Sequence, residues 1–146
     1  MVPREHFRIY AAVYLVLVKD GRVMLSKRRN TGYRDGNYSL IAGHLDGGES
    51  ATASMVREAR EEAGIMLAPD DMQFAHVMHR QYPDREYLDI YFKAERWEGE
   101  IENREPQKCG GLEWFPLDAL PENTIPEVRQ ALQDMRNGTF YSELGF

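Results

Sequence analysis

Apolar positions recur along this chain in patterns that predict β-strands. Residues 86–96 alternate between apolar and polar, which is the two-residue period of a strand with two different faces. Residues 9–18 form a continuous apolar run, and we expect a buried strand there. The turn residues Asp20 and Gly21 join that run to a second strand at 22–28, which gives a hairpin. Further strands are expected at 38–41, 73–80 and 111–115.

Two segments instead carry the signals of helices. Residues 51–63 contain neither Pro nor Gly, and Ser50 suits the helix N-cap. Gly64 stands where a left-handed residue would end this helix. A second helix is expected from Pro126, a residue favoured in the first turn, to about Asn137. The first helix would follow directly on a Gly-rich loop.

The first predicted helix carries carboxylates close to its buried side. At about 100° per residue, a buried stripe centred on Met55 includes Glu62. Glu58 lies at the edge of that stripe and Glu61 lies further round. A solvated helix face with ion pairs between residues four apart explains Arg57 and Glu61, but it does not explain Glu62. An ionised carboxylate on a packed face is costly unless it is paired or binds a metal.

The residue types near this helix favour a hard divalent cation. Mg²⁺ and Mn²⁺ prefer oxygen ligands, so three glutamates beside a loop carbonyl suit either ion. Zinc is disfavoured, because Cys109 is the only cysteine and no pair of histidines stands at ligand spacing near the loop. Glu49 precedes the helix and can reach either the metal or Arg57, and we favour the structural pairing with Arg57.

Residues 43–65, GHLDGGESATASMVREAREEAGI, resemble the Nudix box. The box reads Gly, five residues, Glu, seven residues, then Arg-Glu-x-x-Glu-Glu-x-Gly, and every required position matches, although Ala59 is smaller than usual. The family often has Leu-Pro-Gly-Gly just upstream, whereas this chain has Leu-Ile-Ala-Gly and keeps Gly43. The resemblance implies an α/β fold, an α/β/α sandwich with a mixed central sheet, formed by residues 1–146 as a single domain. It also implies Mg²⁺-dependent hydrolysis of a nucleoside diphosphate linked to another moiety.

The same resemblance assigns roles within the box. It implies that Glu58, Glu61 and Glu62 bind the metal, with the Gly43 carbonyl completing its coordination. Glu58 or Glu61 would double as the general base that takes a proton from the attacking water. In MutT-like members a carboxylate from a loop between the last strands joins the metal site, and Glu105 stands at the corresponding place.

Residues outside the box point to the substrate. Residues 105–121 resemble the MutT-like branch that converts nucleoside triphosphates to monophosphates and pyrophosphate. Arg28 matches a position that contacts the nucleotide in that branch, although a solvated arginine at a strand end is an equal interpretation. Tyr38 and Tyr91 can stack on a base, but aromatic residues in strands more often belong to the core. His44, inside the box, is expected near the phosphates.

Other substrates and roles stay open at this point. A dinucleotide polyphosphate, ADP-ribose or a nucleotide sugar is the alternative substrate, because Tyr82 stands about where a tyrosine marks the dinucleotide polyphosphate branch. A non-enzymatic Nudix-fold nucleotide sensor is disfavoured, because such domains usually lose the box carboxylates. A homodimer is compatible with the family resemblance.

Composition and charge narrow the class of protein. The chain has 146 residues with a net charge of −6, of which 42% are hydrophobic and 29% charged, so it is neither disordered nor membrane-like. It has no basic stripe for duplex nucleic acid, and its longest apolar run is too short to cross a membrane. One cysteine fits a reducing environment, so we expect a cytoplasmic location. An acidic chain can still bind phosphate where a divalent cation offsets the repulsion.

Overall fold

The computed structural model describes residues 1–2 and 4–146, and these residues form eight strands and two α-helices. The strands are β1 (Tyr10–Lys19), β2 (Arg22–Arg28), β3 (Tyr38–Ser39), β4 (Ile41–His44), β5 (Met72–Tyr82), β6 (Arg85–Ala94), β7 (Cys109–Pro116) and β8 (Tyr141–Leu144). The helices are α1 (Ala51–Ala63) and α2 (Pro126–Arg136), and a short 3₁₀ helix precedes β5.

Strand β1 organises a mixed sheet. It pairs in parallel with β6 on one side and antiparallel with β4 on the other, and β6 continues to β5 and β8. The predicted hairpin with β2 is confirmed, but it is short, because its register runs only from Val18↔Val23 to Lys19↔Arg22. Strand β2 then carries β3 and β7 on its two sides. Strands β2 and β4 therefore share β1 as a neighbour without pairing with each other.

Both faces of β1 are buried, which explains its continuous apolar sequence. Val13 and Leu15 pack on the face covered by α1, whereas Tyr14 and Val16 pack on the face covered by α2. Because successive side chains of a strand point to opposite faces, a strand covered on both sides needs apolar residues throughout. The arrangement is an α/β/α sandwich around a mixed sheet, as the family resemblance implied.

Helix α1 begins and ends where its capping residues predict. The Ser50 hydroxyl accepts a hydrogen bond from the Ala53 N–H at 3.1 Å, which satisfies one free donor of the first turn. Gly64 has a φ of 70° and ends the helix in the left-handed conformation that glycine adopts without strain. Met55 and Ala59 are fully buried, so the predicted stripe faces the sheet. The box loop and the box helix are thereby held in a fixed relation to β4.

Two features of the sheet differ from the sequence prediction. The strand expected at 38–41 is divided at Leu40 into β3 and β4, which pair with β2 and β1 respectively. Strand β8 was not predicted, because its four residues form a strand only through parallel pairing with β5. Within the described residues, no helix combines the length and the apolar character needed to cross a bilayer.

Candidate active site

A cavity of about 730 Å³ lies beside the box helix. Helix α1 contributes Glu58, Glu61 and Glu62 to its wall, and β4 contributes Gly43 and His44. Charged or hydroxylated side chains from other strands and loops complete the lining, among them Arg28, Tyr33, Arg80, Arg85, Glu105 and Lys108. Three glutamates of the box, its first glycine and Glu105 are therefore brought to one cavity.

Glu62 occupies the least favourable position for a charge. Its carboxylate Oε2 accepts a hydrogen bond from the Ala42 N–H at 3.1 Å. Burial, together with the nearby charges of Glu58 and Glu105, raises the pKa of Glu62 from its ordinary value of 4.5 to about 8. No described arginine or lysine forms an ion pair with Glu62. This carboxylate therefore stands among like charges with only a backbone donor to stabilise its ionised form.

Glu58 is held close to β4. Burial raises its pKa, and Arg57, which donates to Glu58 Oε1 at 3.0 Å, opposes that shift. A Cβ atom added at Gly43 would overlap the carboxyl group of Glu58, so glycine leaves this carboxyl group the position it occupies beside the strand. The first glycine of the box therefore has a packing role, besides the carbonyl ligand that the resemblance implied.

Arg57 forms ion pairs with carboxylates on both sides of the cavity wall, outside it and inside it. Its guanidinium donates to both oxygens of Glu49, with the Nη2 to Oε1 distance at 2.9 Å and the Nε to Oε2 distance at 3.0 Å. It also donates to Glu61 at 3.2 Å. Glu49 pairs with Arg57 and does not line the cavity. The geometry therefore favours the structural role for Glu49 over a metal ligand.

The donors around the cavity fit a hard divalent cation by their chemistry. Every candidate ligand is an oxygen atom, from the carboxylates of Glu58, Glu61, Glu62 and Glu105 or from the Gly43 carbonyl, and oxygen ligands are those that Mg²⁺ and Mn²⁺ prefer. Across residues 1–2 and 4–146, no three His, Cys, Asp or Glu side chains already converge on one point at ligand distance.

Two aromatic residues that the sequence suggested for the substrate lie elsewhere. Tyr91 is fully buried and stacks on Tyr14 with ring centroids 4.7 Å apart, so a ligand cannot reach it and that expectation is wrong. Its place in β6 turns it inward beneath α2, which is the core alternative. Tyr38 packs edge-on against Phe115 at 4.9 Å and does not line the cavity. Neither of these two rings is therefore placed to stack on a ligand in the cavity.

Arg28 and His44 do line the cavity. Arg28 Nε donates to the Tyr33 carbonyl at 2.6 Å, and its Nη2 donates to the Thr31 hydroxyl at 3.0 Å. These bonds fix the guanidinium of Arg28 against the loop that follows β2. His44 is exposed at the end of β4, next to the glycine of the box. Their positions are compatible with contacts to a bound nucleotide.

A second charged cluster was missed by the sequence analysis. Arg80 is only 5% exposed, and its guanidinium bonds Asp89 at 2.6 Å and Glu127 at 3.2 Å. The Tyr82 hydroxyl accepts from Arg80 and bonds the hydroxyl of Tyr33, which donates to Glu127 at 2.7 Å. One signal was available, because the turn after Tyr82 sets Arg80 diagonally across the hairpin from Asp89.

Comparisons with known proteins agree with this geometry. The family model described as NUDIX domain matches residues 6–135, which is most of the chain. The chain belongs to the Nudix family. Among solved structures, a MutT NUDIX hydrolase from Burkholderia pseudomallei superposes with a TM-score of 0.80 at 27% identity, covering 87% of this chain and 98% of that one. This Nudix chain and that structure therefore share the fold over most of this chain.

Curated relatives with different names match the same region. The NAD-capped RNA hydrolase NudC of Pseudomonas aeruginosa is 32% identical over 117 residues, covering 80% of this chain and 40% of the relative. The 8-oxo-dGTP diphosphatase of Escherichia coli is 24% identical over 123 residues, covering 84% of this chain and 92% of the relative. This Nudix chain thus spans about 40% of the length of the first relative and nearly all of the second.

Proposed function

We propose that this protein hydrolyses the diphosphate bond of a nucleoside diphosphate derivative in a reaction that requires Mg²⁺ or Mn²⁺. The observation that carries the proposal is the placement of Glu58, Glu61, Glu62 and Glu105 around one cavity, with the pKa of Glu62 raised to about 8. A buried carboxylate among like charges is destabilising by itself and becomes favourable beside a cation. Membership in the Nudix family and the names of the relatives support this class of reaction.

The side chains of the cavity have different roles in the proposed reaction. A divalent cation at these carboxylates would neutralise the charge that builds on the phosphate oxygens. Glu62 and the Gly43 carbonyl would hold that cation near the box, and Gly43 leaves the room that Glu58 needs. Glu58 or Glu61 accepts the proton of the water that attacks phosphorus. The phosphorus–oxygen bond opposite the water breaks, and two phosphate-bearing products leave.

Two classes of substrate are compatible with this chemistry. A nucleoside triphosphate would give a nucleoside monophosphate and pyrophosphate, and the likeness to 8-oxo-dGTP diphosphatase supports that class. A diphosphate that joins two nucleoside-like groups would give two monophosphates, and the likeness to the NAD-capped RNA hydrolase supports it. A cavity of about 730 Å³ is within the usual range for small-molecule sites of roughly 300–1,000 Å³.

Three further features belong to the proposal. We expect residues 1–146 to act as one domain, the protein to work in the cytoplasm, and any partner other than the nucleotide to be a second copy of the chain. Sedimentation of the purified protein over a range of concentrations distinguishes a monomer from a homodimer.

The proposal is tested by turnover of purified protein against nucleoside triphosphates, nucleotide sugars, ADP-ribose and dinucleotides, with Mg²⁺ or with chelator. We expect release of a nucleoside monophosphate that stops in chelator. Glu62→Gln should reduce turnover at least a thousandfold, because it removes one negative charge where the cation binds and keeps an acceptor for the Ala42 N–H.

The matched control is Glu122→Gln, which removes an exposed carboxylate outside the cavity. It should leave turnover unchanged. No turnover of any member of the panel by the folded wild type would overturn the hydrolase proposal and favour a nucleotide sensor. Equal turnover with Mg²⁺ and with chelator would overturn the metal requirement alone.

A further inference from the structure

Glu105 reaches the cavity from outside the box, on a turn between β6 and β7. The other three glutamates of the proposed cation site all lie on α1. A side chain on a loop is less precisely held than one on a helix, unless other groups fix the backbone of the loop. The position of Glu105 relative to α1 therefore depends on what holds this turn.

The segment that precedes Glu105 is bonded to the end of the box helix. The Glu102 N–H donates to the Ala63 carbonyl at 3.0 Å, and the Arg104 N–H donates to the Glu62 carbonyl at 3.1 Å. Both carbonyls belong to the last turn of α1, where a helix leaves its carbonyls without partners of its own. Glu105 is therefore the next residue after one that is bonded to the backbone of Glu62.

The side chain of Asn103 joins the two ends of the turn that carries Glu105. Its Oδ1 accepts from the Glu105 N–H at 3.1 Å, and its Nδ2 donates to the Cys109 carbonyl at 2.8 Å. The Glu105 carbonyl accepts from the N–H groups of Lys108 at 2.9 Å and Cys109 at 2.8 Å. Both backbone polar groups of Glu105 are thereby bonded, and the partner of its N–H is the Asn103 side chain.

The outer side of the turn is attached to the end of β2. The Arg29 N–H donates to the Lys108 carbonyl at 3.0 Å, and the Arg29 guanidinium donates to the Pro106 carbonyl. Neither of these bonds involves Glu105. They hold the turn against β2 and leave the orientation of Glu105 to Asn103.

Asn103 is half-buried and is not among the residues that line the cavity. Its side chain therefore cannot contact a cation or a substrate there directly. Glu105, Lys108 and Cys109 do line the cavity, and they belong to the turn that Asn103 closes. Any effect of Asn103 on a bound cation has to pass through the turn.

We propose that Asn103 is a positioning residue that holds Glu105 beside the glutamates of α1, so that a divalent cation can be shared between them. This inference rests on the proposed function and concerns how the site holds its cation. Groups that hydrogen-bond behind the ligands of a metal orient those ligands, and their loss typically costs roughly 10–100-fold in metal affinity or activity. Without Asn103 the Glu105 N–H loses its partner, and the turn is free to carry the carboxylate away from α1.

The test measures cation binding in the absence of turnover. The dissociation constant for Mn²⁺ is measured on protein without nucleotide, from the electron paramagnetic resonance signal of the free ion. Asn103→Ala should raise this constant about tenfold. The variant is expected to fold, because residues 102 and 104 keep their backbone bonds to α1, and a urea melt in chelator checks this.

The matched control is Asn123→Ala. The Asn123 side chain also donates to a backbone carbonyl, that of Gly36, at 2.9 Å, and it does not line the cavity. This variant loses a bond of the same kind far from Glu105 in sequence, and it should bind Mn²⁺ as tightly as the wild type.

Two further variants distinguish positioning of Glu105 from general loosening of the loop. Glu105→Gln removes the carboxylate through which Asn103 acts, so adding Asn103→Ala to it should change the dissociation constant by less than about twofold. Asn103→Ser keeps an oxygen that can accept from the Glu105 N–H, and its affinity should fall between those of the wild type and Asn103→Ala.

The outcomes separate this inference from the proposed function. An unchanged affinity in Asn103→Ala, an equal loss in the Glu105→Gln background, or an affinity of Asn103→Ser no better than that of Asn103→Ala would each overturn the role of Asn103. Turnover by the wild type in the same preparation would then keep the hydrolase. Absence of Mn²⁺ binding by the wild type would overturn the cation site and the role of Asn103 together. A loss of affinity that depends on Glu105, in a protein without turnover, would overturn the hydrolase alone.

Discussion

Two clusters of carboxylates in this molecule are balanced in opposite ways. In the box, Arg57 is shared by three glutamates and Glu62 keeps only a backbone donor. Between β5, β6 and α2, the guanidinium of Arg80 lies between Asp89 and Glu127. The protein supplies its own cation to the second cluster and leaves the first deficient in positive charge. A carboxylate cluster is a candidate cation site only where the protein itself supplies too little positive charge.

The second cluster is also completed by hydrogen bonds between side chains. In the second cluster, the hydroxyls of Tyr33 and Tyr82 bridge the carboxylate and the guanidinium, so each polar group has a protein partner. No buried side-chain nitrogen or oxygen among the described residues lacks a hydrogen bond. Such a complete network is expected to stabilise the fold, so the loss of any member should lower the unfolding free energy. Loss of a carboxylate charge in the box should instead leave the fold stable and reduce the activity.

The largest effect is expected from Arg80→Met. The variant leaves Asp89 and Glu127 buried beside each other without a cation, and breaking a buried pair in this way costs roughly 3–5 kcal/mol of unfolding free energy. Urea unfolding of both proteins at neutral pH measures the difference. Arg85→Met is the control, because the Arg85 side chain is 47% exposed and should change stability little. A loss below about 1 kcal/mol would show that Arg80 does not balance the cluster.

Gly43→Ala should damage function and spare the fold. Its new Cβ meets the Glu58 carboxyl group, which must move away from the box, and a misplacement of about 1 Å can cost on the order of a hundredfold in rate. Steady-state kinetics and a urea melt of the same preparation measure the two effects. The control is Gly110→Ala, whose added Cβ would meet Lys27 at an ordinary 3.6 Å. Equal kinetics in the two variants would contradict the packing argument.

Glu62→Gln should change stability in the direction opposite to Arg80→Met. The folded pKa of Glu62, about 8, lies above its ordinary 4.5, so between these values the folded protein binds more protons than the unfolded chain. The unfolding free energy of wild type in chelator therefore falls as pH rises through that window. The variant lacks this term and should be more stable by on the order of 2 kcal/mol at pH 9, with no difference near pH 4.

Urea melts at several pH values in chelator measure the pH effect of Glu62. A wild type whose stability relative to the variant does not change between pH 4 and pH 9 would contradict the raised pKa. Adding Mg²⁺ should stabilise the wild type at pH 8 and have a smaller effect on the variant, because a ligand that binds only the folded state shifts the unfolding equilibrium. Removing a charge would then raise the unfolding free energy in the first cluster and lower it in the second.

Most of the architecture and the first cluster could be predicted from the sequence, because they depend on local spacing. Ser50 and Gly64 define the helix, and the period of α1 places Glu62 near its buried stripe. The second cluster depends on the register between β5 and β6 and on the packing of α2 over them. Glu127 lies 47 residues from Arg80 in the chain, so no local pattern connects them.

The aromatic residues show a similar limit. Alternation along β6 correctly separated two faces, but both faces carry buried residues, and only tertiary packing decides which ring reaches the cavity. Tyr91 is buried beneath α2, whereas Tyr87, four residues earlier, reaches the cavity wall. The bases and sugars that a site accepts depend on such placement, which the box does not determine.

Tyr33→Phe should have the smallest effect and test how complete the second cluster is. The variant removes one hydroxyl that donates to Glu127 and bonds Tyr82, while Arg80 still pairs with Glu127. Loss of one such hydrogen bond costs about 1 kcal/mol of unfolding free energy. Urea unfolding measures it, and the double variant with Arg80→Met gives the coupling between the two. Additive losses would show that Tyr33 acts apart from the buried pair, whereas a coupling of about 1 kcal/mol or more would place the hydroxyl within the network that balances Glu127.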